Sequence, residues 1–473
     1  MLKKISKQQA EKLEKRLSFQ RRLVWDHLSA AEGKKVRQLA EDYKVFLNNS
    51  KTERESIAEI SGRLIRAGFV GLDQTRKKGK VFQTLRDKVL ALAIPGQRPL
   101  AAGLQIVASH VDAPRLDLKQ HPLYEEADLA FFKTHYYGGI KKYQWLARPL
   151  ALHGTVITAN HKKIQLVIGE KVTDPVFCVS DLLPHLARKV QMEKKLAEAV
   201  EGEKLNILIG SIPLGPLEIK ERFKLAVLEH LHRVHGLTEE DLMSAELELV
   251  PAEPARDVGL DRGLVGAYGQ DDRVCAFSSL RAALEIDNPS RTGLVLFYDK
   301  EEVGSEGNTS ARARILEDLL PRLFSWKGEK YSLELLNQTW ANSRAISADV
   351  AGALEPDYPE VHEKRNAPRM GYGPCLTKFT GSGGKVGSSD AHAEYLHWIR
   401  SLFNQEGIVW QTGELGKVDE GGGGTIAKFL AALGMEIVDC GTPVLSMHSP
   451  FELVSKADLY MTYKAFKAFL ASP

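Results

Sequence analysis

Apolar positions along this chain recur in two textures, a helical 3.6-residue spacing over long stretches and short unbroken apolar runs between them. The helical spacing predicts helices over 8–48 and 52–67, the second opening with Thr52 and Glu55 in a capping-box pattern ahead of Ile57, Ile60, Leu64 and Ile65. A strand over 104–109 follows. From 119 to 255 the texture shifts to short β-like runs, 154–157 and 164–168, with charged helical stretches near 186–201 and 219–235. Beyond 256, strands at 293–298, 344–348, 407–411 and 435–439 alternate with helices at 273–286, 309–325, 391–404, 425–433 and 456–471. Such alternation predicts an α/β fold, a sheet with helices on both faces whose strand-end loops form the site. The expected organisation is one α/β domain built from residues 1–118, with an N-terminal helical extension, and 256–473, interrupted by an inserted domain over 119–255.

Composition narrows the partners. At 473 residues the chain exceeds one ordinary core, which agrees with two domains. A formal charge of +3, spread along the chain, argues against a nucleic-acid binder recognised by bulk charge, and no segment is apolar enough to span a membrane. The basic N-terminal run, from Lys3 and Lys4 to Arg21 and Arg22, contains Glu11 and Glu14 and so reads as a charged surface helix rather than an organelle presequence. Cys178, Cys275, Cys375 and Cys440 are far apart and form no Cys-x-x-Cys, so a reducing, cytoplasmic setting is expected.

Five residues in strand-end or tight-turn contexts change the picture: His110 in Ser109-His110-Val111-Asp112, Asp271 in Gln270-Asp271-Asp272, Glu302 after the run Leu294–Tyr298, Asp349 in Ser347-Ala348-Asp349, and His448 in Ser446-Met447-His448. Two imidazoles and three carboxylates suit a pair of zinc-type divalent ions about 3.5–4 Å apart, with Asp271 bridging and one His and one acid terminal on each. Zn2+ is the first expectation, and Mn2+ or Co2+ accept the same donors. Asp112, two residues after His110, can hold the ring nitrogen opposite the metal. Glu301 and Glu302 cannot share one strand face, so they belong where a strand turns; Glu302 then binds metal while Glu301 moves the proton of an attacking water. The clusters His230, His232, His235 and His392, His397 read as solvated helix faces, and Gly421–Gly424 as a turn before a helix.

With these residues in view, the chain resembles the M18 metallo-aminopeptidases, the aspartyl aminopeptidase family among the co-catalytic zinc exopeptidases. The likeness extends beyond the ligands to Tyr137-Gly138-Gly139, Pro184-His185-Leu186-Ala187, the run from Pro356 to Glu363, and Leu445-Ser446-Met447-His448-Ser449-Pro450. It implies a zinc-exopeptidase-like α/β/α catalytic domain, a β-rich dimerisation domain over 119–255, and dimers assembled into a dodecamer. It also implies that His185 reaches a neighbouring subunit's active site; the alternative is a helix-start residue satisfied within its own domain. Two departures bear on specificity. Acid-preferring members carry a His where this chain has Gly352, and a Val-Ile-Lys-like segment where it has Pro374–Phe379, in which Lys378 can pair with an acidic first side chain.

The expected activity is removal of the N-terminal residue from peptides, with an acidic, neutral or basic first residue left open. Its rivals are a two-metal amidohydrolase of acylated amino acids and a catalytically silent assembly or cargo protein of the same fold. Tolerance of an N-acetyl group distinguishes the first, and metal binding without turnover the second.

Overall fold

Four runs, Gln105–His110, Gly293–Tyr298, Arg344–Ser347 and Glu436–Gly441, are buried almost throughout, the pattern of strands covered on both faces. In this computed structural model, which describes residues 5–74 and 79–473, they pair in parallel at the centre of a nine-stranded mixed sheet. The basic residues Lys3 and Lys4 lie outside the described residues. Pleat alternation sorts the side chains into two cores: Val107, Val295, Phe297, Ile346 and Val438 face one side, and Ile106, Ala108, Leu294, Leu296 and Ile437 the other.

The first core is covered by helices Ala30–Asn48, Gln270–Leu284, Ala393–Gln405 and Lys456–Ala471, the second by Ile315–Lys327, Leu333–Asn342 and Ala427–Ala431. Helix Ala30–Asn48 shows how sequence makes the packing. Its buried residues Val36, Leu39, Ala40, Tyr43, Phe46 and Leu47 fall on one stripe, and Tyr43 and Phe46 close on Phe277 with ring centroids 5.2 and 5.4 Å away.

The expected helix 8–48 is three pieces, Lys7–Leu17, Val24–His27 and Ala30–Asn48. Ser29 caps the last in a capping box with Glu32, and the link before it is tied down as Phe19 packs on Trp410 and the Val24 amide donates to the Gly371 carbonyl. The expected helix 186–201 is likewise broken, into Pro184–Ala187, a π-turn over Arg188–Met192 and Leu196–Ala199. Of the expected strand 407–411 only Gln411–Thr412 joins the sheet. The strand Gly293–Tyr298 and the Thr52–Glu55 capping box appear as expected.

Residues 115–251 supply a second, antiparallel sheet of six strands, in the order Lys163–Ile168, Leu150–Ile157, Glu246–Pro251, Arg115–Glu126, Leu129–Tyr137, Ile207–Gly210. It has its own core around Trp145, Phe132 and Leu249. A five-stranded sheet, Arg256–Val258, Leu264–Ala267, Glu452–Ser455, Pro443–Leu445 and Ala351–Gly352, continues from the ends of the parallel strands.

Candidate metal centre

Three adjacent parallel strands send acidic or imidazole side chains out of their carboxyl ends. His110 ends Gln105–His110, Glu301 and Glu302 start the 3-10 turn after Gly293–Tyr298, and Asp349 follows Arg344–Ser347. Asp271 enters from the start of helix Gln270–Leu284, and His448 from the turn joining Pro443–Leu445 to Glu452–Ser455, where Ser446 and His448 both take left-handed φ of 57° and 63°. Gly441 makes room for this convergence: a Cβ there would fall 1.7 Å from the Asp349 carbonyl oxygen.

The two oxygens of Asp271 each face a different ring. Oδ1 lies 3.3 Å from His110 Nε2, and Oδ2 lies 3.2 Å from His448 Nε2. Glu302 Oε2 is 3.3 Å from His448 Nε2, and Asp349 Oδ1 is 3.9 Å from His110 Nε2. Donors bound at about 2.0–2.2 Å around a tetrahedral ion stand roughly 3.3–3.5 Å apart, so the separations of 3.2 and 3.3 Å match the edges of coordination polyhedra, while Asp349 stands wider from His110. The opposite ring nitrogens are held by the backbone: His448 Nδ1 is 2.9 Å from the Gly139 carbonyl, and His110 Nδ1 is 3.1 Å from the Asp112 carbonyl and 3.3 Å from its carboxylate. The rings differ in access, with side-chain exposure of 2% for His110 and 35% for His448.

Charge points the same way. Asp271, Glu301, Glu302 and Asp349 converge on two imidazoles, and among the described residues no Lys or Arg forms an ion pair with any of the four. Asp271 Oδ1 and Glu302 Oε1 are buried and accept no hydrogen bond among the described residues. Burial pushes the Glu301 carboxyl up to about 7, His110 opposing and the Asp112 and Asp271 charges adding. Burial and the Asp271 charge likewise hold Glu302 well above the usual carboxylate range. Burial works against protonation of His448, yet Asp271 and Glu302 outweigh it and raise the ring to about 10. An acid-rich cluster of this kind, with no ion-paired Lys or Arg among the described residues, fits divalent metal.

Sequence reasoning missed Glu452 and Asp272. Buried Glu452 accepts the Asp271 amide on Oε2 at 3.0 Å and the His448 amide on Oε1 at 2.7 Å, so one carboxylate fixes the approach of two ligand candidates. Its signal is a lone acid in the buried run Phe451–Ser455. Asp272 comes within ligand distance of His110 and Asp349, but its Oδ2 accepts the His110 amide at 3.4 Å, which places it as a brace under the strand end.

A cavity of about 570 Å³ lies over the cluster, lined by Asp271, Glu301, Glu302, Asp349 and His448, with Gly352, Phe379, Leu415 and Met447 on its apolar side. Lys378 does not line it. Its ammonium pairs with Asp390 at 2.6 Å, whereas its neighbours Thr377 and Phe379 face the cavity, together with Lys385, Lys417 and Lys428. His185 stands exposed at the start of Pro184–Ala187, away from the cluster and without a side-chain hydrogen bond among the described residues.

Known proteins resemble this chain over nearly its whole length. A family model of aminopeptidase I zinc metalloproteases (M18) matches residues 46–470. A probable M18 family aminopeptidase 1 from Borrelia garinii is 46% identical over 451 residues, covering 94% of this chain and 98% of the relative. The crystal structure of an M18 family aminopeptidase from Thermotoga maritima superposes with a TM-score of 0.92 at 44% identity, covering 96% of this chain and all of that one. A yeast mApe1 dodecamer, 21% identical, shares the fold with a TM-score of 0.73 over 91% of this chain and 95% of its own.

Proposed function

The chain belongs to the M18 family of zinc metallo-aminopeptidases and removes N-terminal residues from peptides, and we propose that it does so with two metal ions and Glu301 as general base. The observation that carries this reading is Asp271, whose oxygens each address a different imidazole in a cluster whose acids form no ion pair with Lys or Arg among the described residues. His110 and Asp349 would hold one ion, His448 and Glu302 the other, with Asp271 between them. Two zinc ions there would polarise the scissile carbonyl and acidify the attacking water.

The protein's own groups do the rest. The free α-amine of a peptide would sit beside the ions that Asp349 and Glu302 would hold at the cavity floor, so blocked amides and internal bonds, which lack it, fit poorly. Glu301, lining the cavity beside the metal ligands, takes the proton of the attacking water and returns it to the leaving amine. Asp112 fixes the His110 ring and the turn that carries Glu301.

We assign the region 119–255 to dimerisation. It leaves Leu183, Leu186, Met192, Leu196, Ile212 and Leu217 exposed, more apolar surface than a solvated face carries. His185, exposed beside them, would reach a neighbouring subunit's cavity, and dimers would assemble into a dodecamer as in the yeast relative. All four cysteines are unpaired, which supports a reducing, cytoplasmic location; among the described residues no helix is long and apolar enough to cross a membrane.

A peptide panel differing only in its first residue (Asp, Glu, Leu, Lys or N-acetylated) tests the reading on protein whose zinc content is measured. Release of free first residues at two zinc per chain is expected. Cleavage confined to acetylated substrates, or zinc binding without turnover, overturns it. Lys378 is a pocket residue only if Asp or Glu is preferred and Lys378→Met removes that preference.

A further inference from the structure

The fully buried carboxylate of Asp112 receives more than the His110 ring. Oδ1 accepts the Glu301 amide at 3.1 Å, Oδ2 accepts the Glu302 amide at 3.2 Å, and Oδ2 also accepts the Tyr137 hydroxyl at 2.7 Å. One carboxylate thus sets the ring of one ligand candidate, the backbone of another and the backbone of the base. Among the described residues, the Tyr137 hydroxyl is its one donor from outside the nine-stranded sheet and its loops.

Tyr137 is itself firmly seated. It ends strand Leu129–Tyr137 opposite Arg115, whose guanidinium lies 3.9 Å from the ring centroid. Arg115 in turn is held by Asp117 at 2.8 Å, Glu248 at 3.1 Å and Glu53 at 3.4 Å. The hydroxyl therefore reaches Asp112 from a clamped ring, and the short contact is that of a hydrogen bond to an ionised acceptor.

We propose that Tyr137 is a positioning residue for the hydrolytic reaction: its hydroxyl locks the rotation of the Asp112 carboxylate, and through it the placement of Glu301, Glu302 and His110. With the hydroxyl gone, Oδ2 keeps a single amide donor in a place closed to water, and the carboxylate turns towards the donors on Oδ1. The turn bearing Glu301 and Glu302 and the ring of His110 then relax together. Substrate binding in the cavity is untouched, because Tyr137 does not line it.

The proposal rests on the two-metal reading, and Tyr137→Phe, which keeps the ring and its Arg115 contact, tests it. Zinc-loaded variant and wild type are compared for kcat and KM, and cobalt-substituted forms for their visible absorption, with Tyr136→Phe, an exposed neighbour, as control. Expected are a kcat lower by about 10–100-fold with KM within about threefold, and an altered cobalt spectrum, since groups supporting metal ligands carry effects of that size. A kcat within twofold of wild type, or a loss confined to KM with an unchanged spectrum, overturns the proposal. If Tyr137→Phe fails to fold, 3-fluorotyrosine placed at position 137 keeps the test: its fluorine resonance must shift when zinc alone is added, and a resonance that stays put overturns the proposal. A wild type that binds no zinc removes the two-metal reading itself.

Discussion

Two groups of buried acids lie close together in this molecule and are built on opposite principles. Around Arg115, Glu53 and Glu248 are fully enclosed, yet Glu53 meets Lys88 at 2.9 Å and Arg115 at 3.4 Å, and Glu248 meets Arg115 at 3.1 Å. Around Asp271, four acids meet two imidazoles and, among the described residues, form no ion pair with Lys or Arg. His153 repeats the contrast: like His110 and His448 it sits between carboxylates, Glu55 at 2.7 Å and Glu170 at 3.0 Å, but Lys51 completes the set at 2.7 Å from Glu170. Acid density therefore does not mark a metal site; acid density left without a protein cation does.

Breaking the cation-poor side has the largest expected effect. Asp271→Asn removes the group that faces both rings, and turnover should fall at least about a thousandfold, with zinc content below two per chain by elemental analysis, because polarisation by metal carries several kcal/mol. On the two-metal reading, Glu301→Gln should retain its metal content and lose about 10²–10⁴ in kcat, the range of proton-transfer catalysis; normal turnover in the metal-replete variant removes Glu301 as base.

On the self-neutralised side the losses are of stability. Arg115→Met strands Glu248, leaves Glu53 with Lys88 alone, and should cost about 3–5 kcal/mol in urea unfolding. Chelation sharpens the contrast: stripping metal should lower wild-type stability by about 4 kcal/mol relative to metal at a thousand times its Kd, and should do so equally in a His153→Gln background.

The smallest effect is a pH dependence. Burial works against a charged His153, but Glu170 and Glu55 outweigh it and raise its pKa above the ordinary value. A raised imidazole stabilises the fold fully below the unfolded pKa of about 6.5 and less as pH rises through the folded value. Wild type should thus lose stability relative to His153→Gln above about pH 6.5 in thermal unfolding; parallel curves would show that His153 stays uncharged.

The convergence of the acid-rich cluster could be read in part from sequence because His110, Glu302 and Asp349 follow apolar strands, where a polar residue at the run's end is conspicuous. The position of Glu301 and Glu302 after Tyr298 is of this kind. The Arg115 side could not, since Glu53, Lys88, Arg115 and Glu248 come from four distant segments of ordinary surface composition. Glu452 escaped notice because its partners are backbone amides, which have no sequence. The facing of Lys378 depends on pleat parity after a strand of only three residues, Cys375–Thr377, and the break before Ala30 depends on Ser29 and Glu32 capping a helix inside continuous helical periodicity.

The unequal exposure of the two rings bears on how the centre fills and empties. His110 is walled in, while His448 rides on a turn open to solvent. On the two-ion reading, the ion at His448 trades with bulk solution sooner than its companion, so brief treatment with a weak chelator yields a half-loaded enzyme. Refilling that enzyme with a second element gives a mixed-metal form, and each position can then be followed separately by its own spectroscopic label.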